Sequence, residues 1–339
     1  MRDYFIRRTF LIIPTLLGIT MLVFMVTRFV PGGPMGRAIM EAQQANIGSS
    51  SQRTSGQGMA LSEGQLQQLK EYYGFDKPWY ESYVLWVGKV MRGDLGNSYR
   101  YNEPVWDVIR QRFPISLFYG LVSLVITYLV CIPLGVVKAI GHRSAMDNMT
   151  SVLVFAGYAV PGYVLGALLL LFFAVEVDWF PMGGFTSFNF DELTAGDKVL
   201  DVIHHATLPL ICYLVGSFAV TTMLMKNNLM DNLAADYVRT AVAKGVPFKK
   251  AVTGHALRNS MIPIATTFGQ NITLLVGGSF LIETIFDIDG FGLLGLTSIF
   301  DRDYPVVMGI VFLASLLLLV GNILSDILVA LVDPRVRFL

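Results

Sequence analysis

The chain has 339 residues, of which 54% are apolar and only 15% charged, and its mean hydropathy is +0.57. Soluble domains carry about a quarter charged residues, so this composition excludes a soluble pair of domains and marks a membrane protein. Twenty-five Lys and Arg balance 25 Asp and Glu, which removes any general attraction for nucleic acid or for acidic substrates.

Six uncharged stretches follow one another along the chain, at 9–27, 113–137, 148–175, 206–225, 259–282 and 304–325. Each is long enough to cross about 30 Å of hydrocarbon at roughly 1.5 Å per residue. None alternates as a barrel strand does, so the predicted fold class is an all-α polytopic membrane protein with six transmembrane helices. The expected organisation is an N-terminal helix within 1–30, an outer loop over 31–112, a transmembrane core over 113–332 and a short tail over 333–339. Arg2, Arg7 and Arg8 precede the first span as they do in a secretory signal. The uncharged run is too long for a signal core, however, and 28–34 has no small-residue cleavage pattern, so a retained helix is predicted.

Orientation follows from the cations, because cationic flanks resist translocation. Arg2, Arg7, Arg8, Lys138, Arg143, Lys226, Arg239, Lys244, Lys249, Lys250, Arg258, Arg335 and Arg337 fall on one side of a six-span chain, whereas the short segments on the other side hold only Lys198 and Arg302. Both termini are therefore expected in the cytoplasm.

In the outer loop, 41–58 is rich in Gly, Ser and Gln and almost free of large apolar groups, so a flexible insertion is expected there. Leu66, Leu69, Tyr72 and Tyr73 then recur at helical spacing. Trp79, Tyr83 and Trp86 follow in a second amphipathic run from Pro78 to Val90. This aromatic part should fold, either to dock a soluble partner or to rest at the level of the lipid head groups. Arg28, at the end of the first span, is expected to snorkel to the outer interface. Cys131 and Cys212 both sit in apolar runs and read as small hydrophobes rather than as a disulfide or metal pair.

Several motifs are declined. Gly290, Gly292 and Gly295 spell G-x-G-x-x-G, but after a membrane span and without a βαβ unit, so a turn close to another backbone is expected instead. The chain contains no G-x-x-x-x-G-K-[ST], no H-E-x-x-H and no G-x-S-x-G, so it lacks the means to cradle ATP phosphates in the P-loop manner and does not read as an enzyme.

The segment 226–258 reads KNNLMDNLAADYVRTAVAKGVPFKKAVTGHALR. A helical pattern through Leu229, Leu233, Tyr237 and Ala241 stops at Lys244 and Gly245, a cation and a left-handed cap residue. Pro247 then suits the first turn of a second helix carrying Phe248, Val252 and Leu257. A plain linker needs only a few residues, whereas this loop spends about thirty on patterned structure. Docking of a cytoplasmic protein and a simple connection are the two readings.

The residues YVRTAVAKG at 237–245 and HALRN at 255–259 resemble the cytoplasmic signature of permease subunits of ATP-binding-cassette (ABC) importers, in the oligopeptide and dipeptide branch. The family pattern often begins Glu-Ala-Ala; here Arg239, Thr240 and Ala241 take those places and Gly245 fits the following glycine. His255, Leu257 and Arg258 stand at the later positions, with Arg258 where the pattern often has proline. RGDLGNSY at 92–99, ETIF at 283–286, RDYP at 302–305 and DPR at 333–335 are similar to the same branch, and LVDPRVRF, NILSD and 188–193 resemble its Yej-type (microcin C and oligopeptide) members. The resemblance implies a type I importer permease in a bacterial inner membrane, paired with a second homologous permease. It further implies two ATPase subunits or one fused ATPase carrying ATP and Mg, and a periplasmic peptide-binding protein. No cofactor is expected on this chain itself. ATPase coupling would fall on Asp236, Tyr237, Arg239, Thr240, Ala241, Lys244, Gly245, His255, Leu257 and Arg258.

Thr266, Gln270 and Thr273 recur at helical spacing in the fifth uncharged stretch, with Thr267 and Asn271 on the adjoining face. Polar groups at that depth are costly in lipid, so they either face a wet translocation path or bond between helices. In the third stretch Gly157, Pro161, Gly162 and Gly166 suit either a hinge or close packing. The sequence supports a non-catalytic permease subunit; the alternative, a gradient-driven transporter or channel, lacks the internal repeats and midplane carboxylates such proteins display.

Overall fold

The computed structural model describes residues 2–29, 76–277 and 279–332. The expected flexible insertion at 41–58, the pattern at Leu66–Tyr73 and the tail at 333–339 lie outside the described residues, as do the side chains of Gln270 and Thr273. Among the described residues the chain is helical, with turns and a single isolated bridge between Asn97 and Pro104. The elements are α1 (Arg2–Phe29), α2 (Trp79–Val90), α3 (Val105–Ile140), α4 (Ala145–Ala159), α5 (Gly162–Leu169, continued by a π-helical turn Leu170–Glu176) and α6 (Ala195–Ala234). They continue with α7 (Asp236–Ala243), α8 (Phe248–Ala251), α9 (Leu257–Ser260), α10 (Ile262–Gly277), α11 (Phe280–Ile285), α12 (Phe291–Phe300) and α13 (Tyr304–Val332).

Four helices, α1, α3, α6 and α13, are long and apolar enough to cross a membrane, and α4 with the α5 segment makes a fifth candidate bent by 90°. The break falls at Val160 and Pro161, where proline cannot extend the preceding turn. Close packing, one of the two sequence readings of this stretch, is seen at Gly162, where a Cβ would lie 2.9 Å from the Cys212 carbonyl oxygen. The fifth predicted span, 259–282, is divided. Its central helix α10 has 16 residues, rising about 24 Å at 1.5 Å per residue, short of the hydrocarbon thickness.

The chain forms two compact units, one of 1–12, 112–294 and 316–339, the other of 13–111 and 295–315. In the first, Tyr119, Ala206, Leu208, Cys212, Ile282, Phe286 and Ile288 make one buried cluster. A second is made by Ala139, Met225, Leu229, Val238, Ala251, Ala256 and Ile264. Apolar side chains gain little by leaving lipid for one another, so close backbone approach matters more than in water. A Cβ at Gly269 would stand 2.6 Å from the Gly321 carbonyl oxygen, one at Gly321 2.9 Å from that of Gly269, and one at Gly135 2.7 Å from Met225 Cβ. Both cysteines are free and buried.

The first unit also buries charge. Lys226 Nζ donates to both carboxylate oxygens of Asp147, at 2.7 and 2.8 Å. Lys138 Nζ donates to the Asp147 carbonyl at 2.8 Å, Thr150 Oγ1 at 2.7 Å and Ser151 Oγ at 2.8 Å, and stands 3.1 Å from the carboxylate. The Arg143 amide donates to the same carboxylate at 3.0 Å. Lys138, Asp147 and Lys226 are all buried, so one anion serves two ammonium groups and fixes α3, α4 and α6 together. On α13, Asp326 takes Arg8 of α1 at 2.5 Å and accepts from the Tyr4 hydroxyl at 3.0 Å.

The second unit contains α2, started by Pro78 and ended by Gly93 at φ 80. Tyr83 binds it to α1, its hydroxyl 3.0 Å from Thr20 Oγ1 and donating to the Leu17 carbonyl at 2.9 Å. Arg28, expected to snorkel, has Nη2 donating to the Lys77 carbonyl at 2.8 Å and to Ser82 Oγ at 3.3 Å, tying the end of α1 to the start of α2. The RGDLGNSY and RDYP stretches meet at Asp303, which accepts from the Ser98 hydroxyl and from the amides of Tyr99 at 3.1 Å and Arg100 at 3.2 Å.

Two stability predictions follow from this packing. Asp147→Asn strands two buried lysines and should cost about 3–5 kcal/mol, read as a lower thermal midpoint of the purified protein in detergent, and adding Lys226→Met should recover part of it. An unchanged midpoint for Asp147→Asn contradicts the tie. Gly269→Ala forces a methyl against backbone and should cost about 1–3 kcal/mol. The control Gly18→Ala, whose Cβ meets nothing within 4 Å, should be neutral or slightly stabilising.

Candidate functional site

The patterned loop is an elbow on a rigid base. The helix predicted to run from Leu229 through Ala241 is interrupted: α6 continues to Ala234, Ala235 adopts an extended conformation (ψ 148), and α7 starts at Asp236. Leu229 therefore belongs to the end of α6. α7 stops at Lys244 and Gly245, whose φ of 86 is the left-handed conformation its cap position predicts. The Gly245 amide donates to the Val242 carbonyl and the Val246 amide to that of Ala241, closing the turn. Pro247 then begins α8, which passes through a π-helical turn, Val252–Ala256, into α9.

One side of this elbow is buried and the other is open. Val238, Ala251, Val252, Ala256 and Ser260 are buried, while Asp236, Tyr237, Arg239, Thr240, Lys244, Gly245, His255 and Arg258 are exposed and Ala241 and Leu257 are half-buried. A polar web fastens the base. The Tyr237 hydroxyl donates to Asn232 Oδ1 at 2.6 Å and accepts from Asn259 Nδ2 at 3.0 Å. Asn232 Nδ2 donates to Ser260 Oγ at 3.1 Å. Arg258 Nε donates to the Val332 carbonyl at 2.6 Å, linking the elbow to the end of α13. The exposed set comprises a tyrosine, a carboxylate, an imidazole, cations, a hydroxyl and, beyond them, Phe248 and Val242. This mixture suits a protein surface, since an unpartnered linker has no use for a base fixed by four hydrogen bonds.

The first unit also holds a cavity of about 540 Å³ lined by residues of α3, α5, α6, α10 and α11. Its polar lining includes Ser123, Thr127, Ser217, Thr221, Thr267 and Asn271, with Gly120, Gly162 and Gly216 between them. No Asp, Glu, Lys, Arg or His is among the described lining residues. Asn271 Nδ2 donates to the Tyr128 hydroxyl at 2.8 Å, so this side chain combines the two sequence readings, an interhelical bond and a cavity wall. Thr266 does not join it: the residue is exposed and its hydroxyl returns to the Ile262 carbonyl of its own helix. The side chains of Gln270 and Thr273 lie outside the described residues.

Sequence reasoning missed the Asp147 cluster, which supports the C-terminal part of α6, because Lys138 and Lys226 were informative only as orientation charges. Its one visible signal is an acid directly before an uncharged stretch on the cation-rich side. It also missed Glu283, a fully buried carboxylate that accepts from Ser116 Oγ at 3.0 Å and from the Leu293 amide at 2.6 Å, beside the first turn of α12. Gly290 is required because a Cβ there would sit 2.5 Å from the Glu283 carboxyl carbon. The declined glycine motif thus makes room for a side chain, not for another backbone as the sequence suggested.

Residues 131–338 match the family described as the binding-protein-dependent transport system inner membrane component. The chain is 39% identical to the peptidoglycan transport system permease protein YejB of Agrobacterium fabrum, across 100% of this chain and 99% of the relative. It is 36% identical to the oligopeptide transport system permease protein AppB of Bacillus subtilis, across the whole of both. It is 32% identical to the dipeptide transport system permease protein DppB of Escherichia coli K12, across 99% of both. With a family match over more than half of its length and relatives aligned from end to end, the chain belongs to the inner-membrane components of binding-protein-dependent transport systems, as a permease subunit of an ABC importer.

Proposed function

We propose that the chain is one half of the membrane channel of a peptide importer, in which ATPase motion enters through the Gly245 elbow. The observation that carries this reading is the elbow itself: an exposed face of Tyr237, Arg239, Lys244 and Phe248 on a base fastened by Tyr237, Asn232, Asn259 and Ser260. A surface held that firmly transmits a push instead of absorbing it. Its partners are two ATPase subunits or one fused ATPase, which carry ATP and Mg, and a second homologous permease completes the channel. A periplasmic binding protein delivers the cargo.

Peptides are the cargo on two grounds. The named activities of the relatives concern oligopeptides, dipeptides and peptidoglycan, and the cavity lining is hydroxyl, amide, glycine and apolar surface without formal charge. Such a wall bonds to peptide groups without selecting side chains by charge. Asn271 and Thr267 lie on the translocation path, with Gln270 and Thr273 on the same helix. We take the 257–285 segment, in three short helices, as one further crossing that brings the total to six; the distribution of Lys and Arg then favours both termini and Gly245 in the cytoplasm and α2 outside.

Gly245→Val tests the coupling. No atom crowds the site, so the substitution acts only through the positive φ, which a β-branched residue disfavours by about 1–2 kcal/mol. The permease should remain inserted while copurifying ATPase falls, or ATP hydrolysis continues without import. Normal ATPase attachment, peptide-stimulated hydrolysis and uptake in the same preparation would return the loop to a simple connection.

A further inference from the structure

The second unit contains a cavity of about 430 Å³ where RGDLGNSY and RDYP come together, lined among others by Phe24, Arg28, Trp86, Lys89, Asp94 and Tyr304. We propose that it binds the head group of a zwitterionic phospholipid of the phosphatidylethanolamine class.

Position is the first argument. Arg28 ends the uncharged run of α1 and Tyr304 opens α13, so the cavity lies at the boundary where apolar spans give way to polar chain, the level of lipid head groups. Charge is the second. Lys89 and Asp94 line the same cavity and both are exposed, yet neither forms an ion pair with the other or with any described residue. Opposite charges held apart in one cavity complement a ligand that itself carries both. Its phosphate would meet Lys89 and Arg28, and its ammonium would meet Asp94, whose Oδ1 accepts only the Gly96 amide at 2.8 Å.

Unmet polarity is the third argument. Among the lining side chains, Trp86 Nε1 and the Tyr304 hydroxyl are buried without a hydrogen-bond partner among the described residues, and the indole N–H can only donate. Unpaired buried donors are costly, and phosphate oxygens accept from both. The rest of the lining includes Phe24 and Met308 from the two spanning helices, an apolar wall that acyl chains cover. A free phosphate supplies neither the apolar surface nor a cation for Asp94. Assignment to the outer leaflet rests on the orientation proposed above; the head-group chemistry does not.

The test uses Lys89 and Asp94, because Arg28 also holds α2 in place. Native mass spectrometry of the detergent-purified permease, supplied with phosphatidylethanolamine, phosphatidylglycerol, diacylglycerol or inorganic phosphate, reads retention directly and independently of transport. The wild type should retain phosphatidylethanolamine above the other three. Lys89→Gln should weaken both phospholipids by about tenfold, and Asp94→Asn should weaken phosphatidylethanolamine alone, reversing the preference toward phosphatidylglycerol. Equal retention of all three lipids, or variants indistinguishable from wild type, overturns the site, and displacement by inorganic phosphate as effective as by lipid assigns it to a free anion instead. Failure here leaves the import reading intact, because uptake and ATPase attachment are measured without reference to the lipid.

Discussion

A single buried carboxylate organises the end of the first unit from which the elbow projects. Asp147 sits in the first turn of α4, accepts from Lys226 of α6 at both carboxylate oxygens, and draws Lys138 of α3 against the start of its own helix. Such a cluster is poor as a source of net stability, because removing three charges from water is costly. Its consequence is geometric: three helices share one point, and none can slide or rotate without breaking hydrogen bonds to a buried charge. Lys226 lies only two turns before the end of α6, so the elbow that follows is anchored where the constraint is strongest.

From that point outward, two kinds of contact carry position. Toward the elbow they are polar and specific, through Asn232, Tyr237, Asn259 and Ser260, with Val238, Ala251 and Ala256 packed beneath. Toward the middle of the spans they are close approaches at Gly135, Gly162 and Gly269, where a methyl group would strike the neighbouring helix. The cavity lined by Ser123, Thr127, Ser217, Thr221 and Asn271 opens among these same helices. Its walls therefore include α3 and α6, two of the helices that the Asp147 cluster ties together, and α6 leads directly into the elbow.

Much of this was legible in the sequence, and the gaps have physical causes. Charge-free runs revealed the long helices because lipid tolerates little else. Gly245 and Pro247 revealed the elbow because only a few residues adopt a left-handed cap or open a helix. Periodicity carried Leu229 and Tyr237 into one helix, but the break at Ala235 leaves no mark in hydropathy. The division of 259–282 was equally hidden, since an uncharged run reads the same whether its helix is whole or cut at Met261. Ion pairs were least visible: Asp147 with Lys226, and Asp326 with Arg8, join residues far apart in the chain, and a single sequence carries no signal of which charges meet. Thr266 shows the limit of periodicity within a helix, since its hydroxyl satisfies itself on its own backbone while the neighbouring Thr267 lines the cavity.

The central claim is that the elbow and the membrane helices move as one body because of the Asp147 cluster. Distance distributions between spin labels at Val242→Cys in α7 and Met149→Cys in α4, both exposed sites, measure this most directly in the assembled transporter. One narrow distribution is predicted with and without nucleotide, broadening when Asp147→Asn is added. A distribution already broad in the parent protein, one that changes with nucleotide, or one that stays narrow after Asp147→Asn would contradict the account.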